Sequence, residues 1–98
     1  MSTIEITVFG LLPDADERAF LDADKELQTE VLYQHPGLLR RTTARSESGG
    51  DWLTIVVWRS AADADASQRA TAVHPVAHRY HTFVDASTVR SRRFEALD

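Results

Sequence analysis

Three histidines late in the chain have the types and spacing that most readily suggest chemistry. His74, His78 and His81 lie at positions i, i+4 and i+7, so an unbroken helix would place them in one stripe. Imidazoles in such a stripe bind a metal ion, relay protons or meet an enolate oxygen. We favour solvated or packing histidines, with one or two lining a pocket as the alternative. A metal site ranks last.

Two features weaken the metal interpretation. The apolar side chains of Val76, Tyr80 and Phe83 form a separate line on the same segment, and Pro75 disturbs the helical phase of His74. The metalloprotease pattern His-Glu-x-x-His is also missing from the sequence. We therefore assign no metal ligands, and we keep the later histidines as candidates for proton transfer.

The helices and strands that position these residues are organised around one apolar stretch, Trp52–Ser60. It follows the turn signal Gly49-Gly50-Asp51 and reads as a strand, which alternation divides into two largely apolar faces. The two faces carry Trp52, Thr54, Val56 and Trp58, and Leu53, Ile55, Val57 and Arg59. A strand that is apolar on both sides is buried on both sides, and a chain of this length covers one sheet face with its own helices. The second face predicts a homodimer whose sheets face each other.

The remaining elements follow from changes in hydrophobic period. We predict strands over Ile4–Leu11, Leu38–Ser46 and Thr88–Leu97, a first helix from an Asp14–Glu17 capping box to near Gln34, a second helix over Ala61–Ala72, and a further helical segment from Pro75. Phe20, Ala23, Leu27 and Val31 form the core stripe of the first helix, and Ala62, Ala66, Ala70 and Val73 that of the second. Asp24 flanks the first stripe; we favour a solvated boundary position over a buried carboxylate.

The resulting order βαββαβ predicts an α+β, ferredoxin-like fold, with a four-stranded antiparallel sheet and the helices on one face. Strands 1 and 3 are then central and strands 2 and 4 are edges. The two edges carry six arginines, and we interpret these as protection against unwanted strand addition. Arg90 and Arg92 could alternatively form an anion clamp.

Composition limits the possible partners and locations. Residues 1–98 predict a single domain with a formal net charge of -4, which argues against nucleic acid and membrane surfaces as partners. The chain has no cysteine, so packing rather than disulfides must hold it together. The start has no signal-peptide pattern, and no apolar run reaches the roughly 20 residues of a membrane helix, so we expect a cytoplasmic protein.

Several motifs taken together resemble one known family. The block His35-Pro36-Gly37-Leu38-Leu39, the glycine-containing hairpin, the strand ending in Trp58-Arg59-Ser60 and the following Asp- and Ala-rich helix are similar to the antibiotic biosynthesis monooxygenase (ABM) domain. The resemblance covers nearly the whole chain. It implies a ferredoxin-like fold that pairs through its sheet into a dimeric α+β barrel.

The resemblance also implies a function. Members of this family include cofactor-independent monooxygenases, so we expect oxidation of a small aromatic or polyketide-like ligand without metal or flavin. Trp58 stands where similar enzymes place an aromatic residue at the substrate pocket. In this reading Trp58, Tyr80 and Phe83 bind the ring, and His78 or His81 removes a proton.

A non-catalytic module of the same fold, which binds a small ligand or dimerises, is the alternative. Haem degradation of the type found in this superfamily is disfavoured, because the chain contains no asparagine. The second predicted helix also lacks the tryptophan that the haem-degrading members use there.

Overall fold

The computed structural model describes residues 1–97 as one antiparallel sheet with all of the helices packed on one side. The elements in chain order are β1 (Thr3–Leu11), α1 (Glu17–Glu30), a 3-10 turn (Leu32–Gln34), β2 (Leu38–Arg45), β3 (Asp51–Trp58), α2 (Ala61–Thr71), α3 (Pro75–His81) and β4 (Val84–Glu95). The ferredoxin-like order that the sequence predicts is confirmed.

The strand order in the sheet is β2-β3-β1-β4, and all neighbours are antiparallel. The two apolar strands are therefore central and the two arginine-rich strands are edges, as predicted. Gly49 and Gly50 adopt positive φ angles of 80° and 91° in the loop between β2 and β3. This conformation is readily available to glycine and explains the sequence of the hairpin.

α1 supplies the centre of the core. Asp16 caps the helix, because its Oδ1 accepts hydrogen bonds from the backbone N–H groups of Arg18 and Ala19 at 2.9 and 3.3 Å. The predicted capping box at Asp14 was wrong by two residues. The predicted stripe is confirmed at Phe20, which is 0% exposed and lies at the centre of an aromatic cluster.

The start of α2 is fixed against the start of β2. Ser60 caps α2, as predicted, by accepting from the backbone N–H of Asp63 at 3.1 Å. The Asp63 carboxylate accepts from the Ser60 hydroxyl at 2.8 Å, rather than from the backbone N–H of Ser60 as in a capping box. A Cβ at Gly37 would lie only 2.4 Å from Cγ of Asp63. Glycine at position 37 therefore permits this close approach, whereas the sequence suggested only a turn.

Two sequence predictions need correction. β4 begins at Val84 rather than Thr88, because Leu11 and Gly10 of β1 pair with Val84 and Asp85 beyond a bulge. The buried residues of α2 are Ala64 and Ser67, not the predicted alanine stripe, of which Val73 is 85% exposed. Small residues occur on every side of this helix, so periodicity alone could not identify its inner face.

The more apolar face of β1 is the one that the helices leave open. Ile4, Ile6 and Val8 pair across the sheet with Val57, Ile55 and Leu53 of β3, and Phe94 of β4 adjoins Ile4. We call these seven residues the open face. Val8, Ile55 and Phe94 remain 37%, 36% and 39% exposed. A contiguous apolar surface of this kind is characteristic of an interaction site.

None of the helices within residues 1–97 is both long enough and apolar enough to cross a membrane.

Candidate functional site

A cavity of about 360 Å³ lies between the sheet and helices α2 and α3. Its floor consists of side chains from β1, β2 and β3, and Tyr80 and His81 of α3 form part of its wall. Small-molecule sites occupy about 300–1,000 Å³, so the cavity suits a compact ligand.

Two polar rows cross the helix-facing side of the sheet. The hydroxyl row consists of residues paired across all four strands, Thr43, Thr54, Thr7 and Ser91; the charged row beside it consists of Arg41, Val56, Glu5 and Arg93. Apolar pairs flank the rows on both sides, Trp52 with Phe9 and Trp58 with Leu38. Polar side chains are unusual on the covered face of a sheet and indicate a site rather than a plain core.

The space above these rows stays open because the residues of α2 are small. Ala64 and Ser67 are the buried residues of α2, and both line the cavity. Large aliphatic side chains at these positions would fill the volume over Val56 and Thr54. The cavity is thus a consequence of the alanine-rich composition of α2.

Trp58 combines a buried ring with an unsatisfied donor. The residue is 3% exposed and lines the cavity, and its Nε1 is buried without a hydrogen-bond partner among the described residues. The ring of His35 meets it edge-on at 5.6 Å between centroids. Leaving a buried N–H unpaired costs about 1–3 kcal/mol.

Tyr80 contributes a second donor on the cavity wall. Burial raises the pKa of its hydroxyl to about 12, with Arg41 opposing and Asp24 adding to this effect. The phenol therefore remains protonated at neutral pH. It can donate a hydrogen bond to an acceptor in the cavity, but it does not serve as a base.

Asp24 is buried, contrary to the solvated position that the sequence favoured. The residue is 8% exposed, and its Oδ1 accepts from Nη2 of Arg41 at 2.8 Å. Thr43 donates its hydroxyl to the same carboxylate at 3.0 Å. Arg41 is thus part of an internal ion pair on an edge strand, and its predicted part in protection against strand addition stays a prediction.

The three histidines of the sequence pattern take different positions. His74 caps α3, because its Nδ1 accepts from the backbone N–H of Val76 at 3.1 Å. His78 is exposed and is not among the residues around the cavity, whereas His81 lines it with its ring 5.3 Å from that of Tyr80. The structure therefore brings His81, Tyr80 and Trp58 to one cavity and leaves His78 outside.

Phe83, the other proposed ligand-binding residue, lies in the core. Its ring meets Phe20 edge-on at 6.2 Å, and it packs against the main aromatic cluster rather than the cavity. The assigned roles of these residues stay predictions. Within residues 1–97, no group of three or more His, Asp and Glu side chains is arranged to hold a metal ion.

Glu5 brings a carboxylate to the opposite side of the cavity. Its Oε2 accepts from Nε of Arg93 at 3.0 Å, and Nη1 of Arg93 also donates to Asp65 of α2 at 2.7 Å. These bonds raise the pKa of Arg93, which keeps its positive charge beside Glu5. Arg90 and Arg92 instead lie on the other side of the sheet, level with Val8 and Ile6.

Sequence reasoning missed Arg41, Glu5, Thr7 and Thr54 as cavity residues. Alternation did carry a signal for two of them, because Glu5 and Thr7 share a strand face with Phe9. That face was the less apolar one, so the sequence suggested that it was exposed to solvent. Only the placement of the helices shows that it is covered.

Comparison with known proteins supports the fold, and this support comes from solved structures rather than from sequence matches. No protein-family model and no curated protein sequence matches the chain. SnoaB, a cofactor-independent oxygenase from Streptomyces nogalater, superimposes with a TM-score of 0.82 at 15% identity, over 99% of this chain and 94% of SnoaB.

Two further structures show the same architecture. A Nitrosomonas europaea protein, provisionally assigned as an antibiotic biosynthesis monooxygenase, gives a TM-score of 0.75 at 14% identity, covering 98% of this chain and 99% of that one. A dimeric ferredoxin-like protein of unknown function from Jannaschia sp. CCS1 gives a TM-score of 0.74 at 14% identity, covering 98% of this chain and 100% of that one. The expected resemblance to ABM-type monooxygenases is confirmed for the fold.

Proposed function

We propose that this protein is a cofactor-independent monooxygenase that acts on a small aromatic substrate in the cavity between the sheet and helices α2 and α3. The observation that carries the proposal is the cavity itself, whose lining includes Trp58, Tyr80 and His81. The Nε1–H of Trp58 is buried and has no hydrogen-bond partner among the described residues. The similarity in fold to SnoaB supports the same reaction class. An open cavity argues for a ligand site over a dimerisation module alone.

The reaction begins with loss of a proton from an acidic carbon, such as the methylene of an anthrone. The resulting carbanion transfers electrons to dioxygen and forms a carbon–oxygen bond. Loss of water from the hydroperoxide then leaves a carbonyl at that carbon, so that CH₂ and O₂ become C=O and H₂O. Electrons for the reduction of oxygen come from the substrate itself.

The cavity residues divide this task. Trp58 and Tyr80 donate hydrogen bonds to the oxygen on which negative charge develops, and this stabilisation lowers the barrier to deprotonation. His81 lies on the cavity wall and is also exposed to solvent. This position supports a role for His81 in accepting the proton and releasing it to water. His78, outside the cavity, has no direct role in this scheme.

We expect protein-dependent oxygen uptake with an anthrone-type substrate, and a loss of about 10²–10³-fold in kcat for Trp58→Phe. Phenylalanine keeps a ring in the wall and removes the N–H donor. The rate should be measured with an oxygen electrode and by product absorbance. A panel of anthrones that gives no protein-dependent uptake would contradict the enzymatic proposal and favour the binding module.

The two histidines provide a matched pair for the same assay. His81→Ala is expected to lower the rate about 10²-fold or more, because it removes the proposed proton acceptor. His78→Ala, on the exposed side of the same short helix, should retain nearly the full rate. Equal losses in both variants would contradict the assignment of His81.

The open face supports a homodimer as the working assembly. Its seven apolar side chains belong to two central strands and an edge strand, and the protein's own helices do not cover them. Stacking against the same face of a second copy would bury them, in a self-complementary contact. The dimeric ferredoxin-like protein from Jannaschia shows that this fold occurs as a dimer. The cytoplasmic location expected from the sequence remains a prediction.

We expect sedimentation at micromolar concentration to give twice the chain mass of 11.0 kDa. Ile55→Lys should shift the protein to monomer, because Ile55 lies opposite Ile6 and Thr42 near the middle of the open face. Leu21→Lys is the control, since Leu21 is an exposed leucine on α1. A wild-type monomer, or a dimer that survives Ile55→Lys, would contradict this assembly.

A further inference from the structure

We infer that the cavity recognises an aromatic ligand that carries an anionic oxygen, a carboxylate or a phenolate, and that Arg41 is the residue that selects it. The inference rests on the proposed function, because it names the substrate class of the same site. The observation behind it is the orientation of the Arg41–Asp24 ion pair, in which Arg41 rather than Asp24 lines the cavity.

Arg41 is held rigidly at the side of the cavity formed by β2. Its side chain is 3% exposed, and its guanidinium donates to Asp24 at 2.8 Å and to Gln28 and Thr43 at 3.2 Å each. A guanidinium has five N–H donors, so these three bonds leave two, for which the neighbouring Tyr80 hydroxyl is also an acceptor. The fixed fork is preorganised for a planar oxyanion.

The pair presents its positive end to the cavity. Arg41 lines the cavity, whereas Asp24, Gln28 and Thr43 are not among the described residues that do. The carboxylate therefore lies behind the guanidinium as seen from the ligand. In a site of low dielectric constant, this orientation gives an attractive field for an anion close to Arg41.

The neighbouring groups favour the same end of the cavity. Tyr80, beside Arg41, adds a neutral donor there, while Glu5 lies two strands away in the charged row, about 10 Å at ordinary strand spacing. Glu5 is itself neutralised by Arg93 at 3.0 Å. An anionic ligand oxygen is thus drawn towards Arg41 and away from Glu5.

Stability alone is a weak reason for this ion pair. Apolar residues of similar volume often replace a buried pair without loss of stability, because both charges must be removed from water. An ion pair beside a ligand cavity can bind a charged ligand, whereas apolar residues in its place could not. Arg45, on the same strand face, differs from Arg41 because its pair with Glu17 is exposed.

The test compares 2-naphthoate, 2-naphthamide and 2-naphthol as probes, with binding to the whole protein measured by calorimetry at pH 7. Naphthoate carries a carboxylate, naphthamide is its neutral counterpart, and naphthol represents a phenol. We expect naphthoate to bind about tenfold or more tightly than naphthamide. Naphthol is neutral at pH 7, so naphthol that binds with release of a proton would identify the phenolate as the source of the oxygen, whereas naphthol that binds more tightly than naphthoate without releasing a proton would overturn the inference.

Two substitutions should move naphthoate affinity in opposite directions. Arg41→Gln is expected to remove the preference for naphthoate, and Asp24→Asn to increase it, because the latter unmasks the guanidinium. Both variants disturb the same buried pair, so a purely structural role would shift the affinity in the same direction. Arg45→Gln is the control and should leave the preference unchanged.

The double variant Asp24→Leu plus Arg41→Met tests the inference if either single variant unfolds. It removes both charges and should bind the neutral and charged naphthalenes equally. Equal binding of naphthoate and naphthamide by the wild type would overturn the inference and leave the proposed monooxygenase intact. Failure of all three probes to bind would overturn the inference, while anthrone turnover would test the proposed function separately.

Discussion

Alanine in place of Asp24 is expected to lower the free energy of unfolding by about 3–5 kcal/mol. The substitution leaves the guanidinium of Arg41 in the interior without its counter-charge, and Thr43 loses the carboxylate that accepts its hydroxyl. A domain of this size has a total stability of about 5–15 kcal/mol. The variant should therefore unfold at a much lower urea concentration than the wild type.

The double substitution Asp24→Leu plus Arg41→Met should recover most of this loss, because no charge is then left unpaired. Glu17→Ala is the surface control. It breaks the exposed Arg45–Glu17 pair and should cost about 1 kcal/mol or less. Urea unfolding followed by circular dichroism would measure all three variants, and a loss of less than about 1 kcal/mol for Asp24→Ala would show that the pair is open to water.

Alanine in place of Phe20 is expected to lower the free energy of unfolding by about 3–5 kcal/mol. Phe20 is completely buried, and its ring lies 5.1 Å from Trp52, 5.3 Å from Tyr80 and 5.9 Å from Phe9 between centroids. Removing the ring leaves a void where α1, α3 and the sheet meet. It also removes a support of Tyr80, so ligand binding should weaken in the molecules that remain folded.

Leu21→Ala is the matched control for this substitution. Leu21 follows Phe20 on α1 but is 42% exposed, so the change should alter stability by about 0.5 kcal/mol or less. Chemical unfolding of both variants with the same probe would give the comparison. Similar losses at the two positions would contradict the assignment of Phe20 to the centre of the core.

Local sequence patterns predicted the elements because each pattern reflects a nearby physical constraint. The spacing of Phe20, Ala23 and Leu27 identified the buried side of α1, and the alternation along Trp52–Trp58 identified the two faces of β3. The capping pair Ser60 and Asp63 located the start of α2. These features depend on residues a few positions apart.

Asp24 illustrates where this reasoning fails. Its position, four residues after Phe20 and three before Leu27, places it on the inner side of α1. Its charge nevertheless favoured a position exposed to solvent. The compensating guanidinium belongs to Arg41 on β2, 17 positions away. Helical periodicity has no information about a partner on another element, so the burial could be explained only from the tertiary structure.

The histidines show the same limit. The sequence placed His74, His78 and His81 in one stripe and offered them as a group. In the fold, His74 is a helix cap, His78 is exposed and His81 lines the cavity. The separation arises because Pro75 starts a new helix, whose packing through Ala77 and Tyr80 sets its rotation.

The sequence by itself determined the order of strands and helices, the central position of β1 and β3, and the presence of one uncovered apolar sheet face. Tertiary structure alone decided which face of β1 the helices cover, and it brought Trp58, Tyr80, His81 and Arg41 to one cavity. The physical reason is that secondary structure follows from periodicity within a segment, whereas a site depends on the distances between segments that pack together.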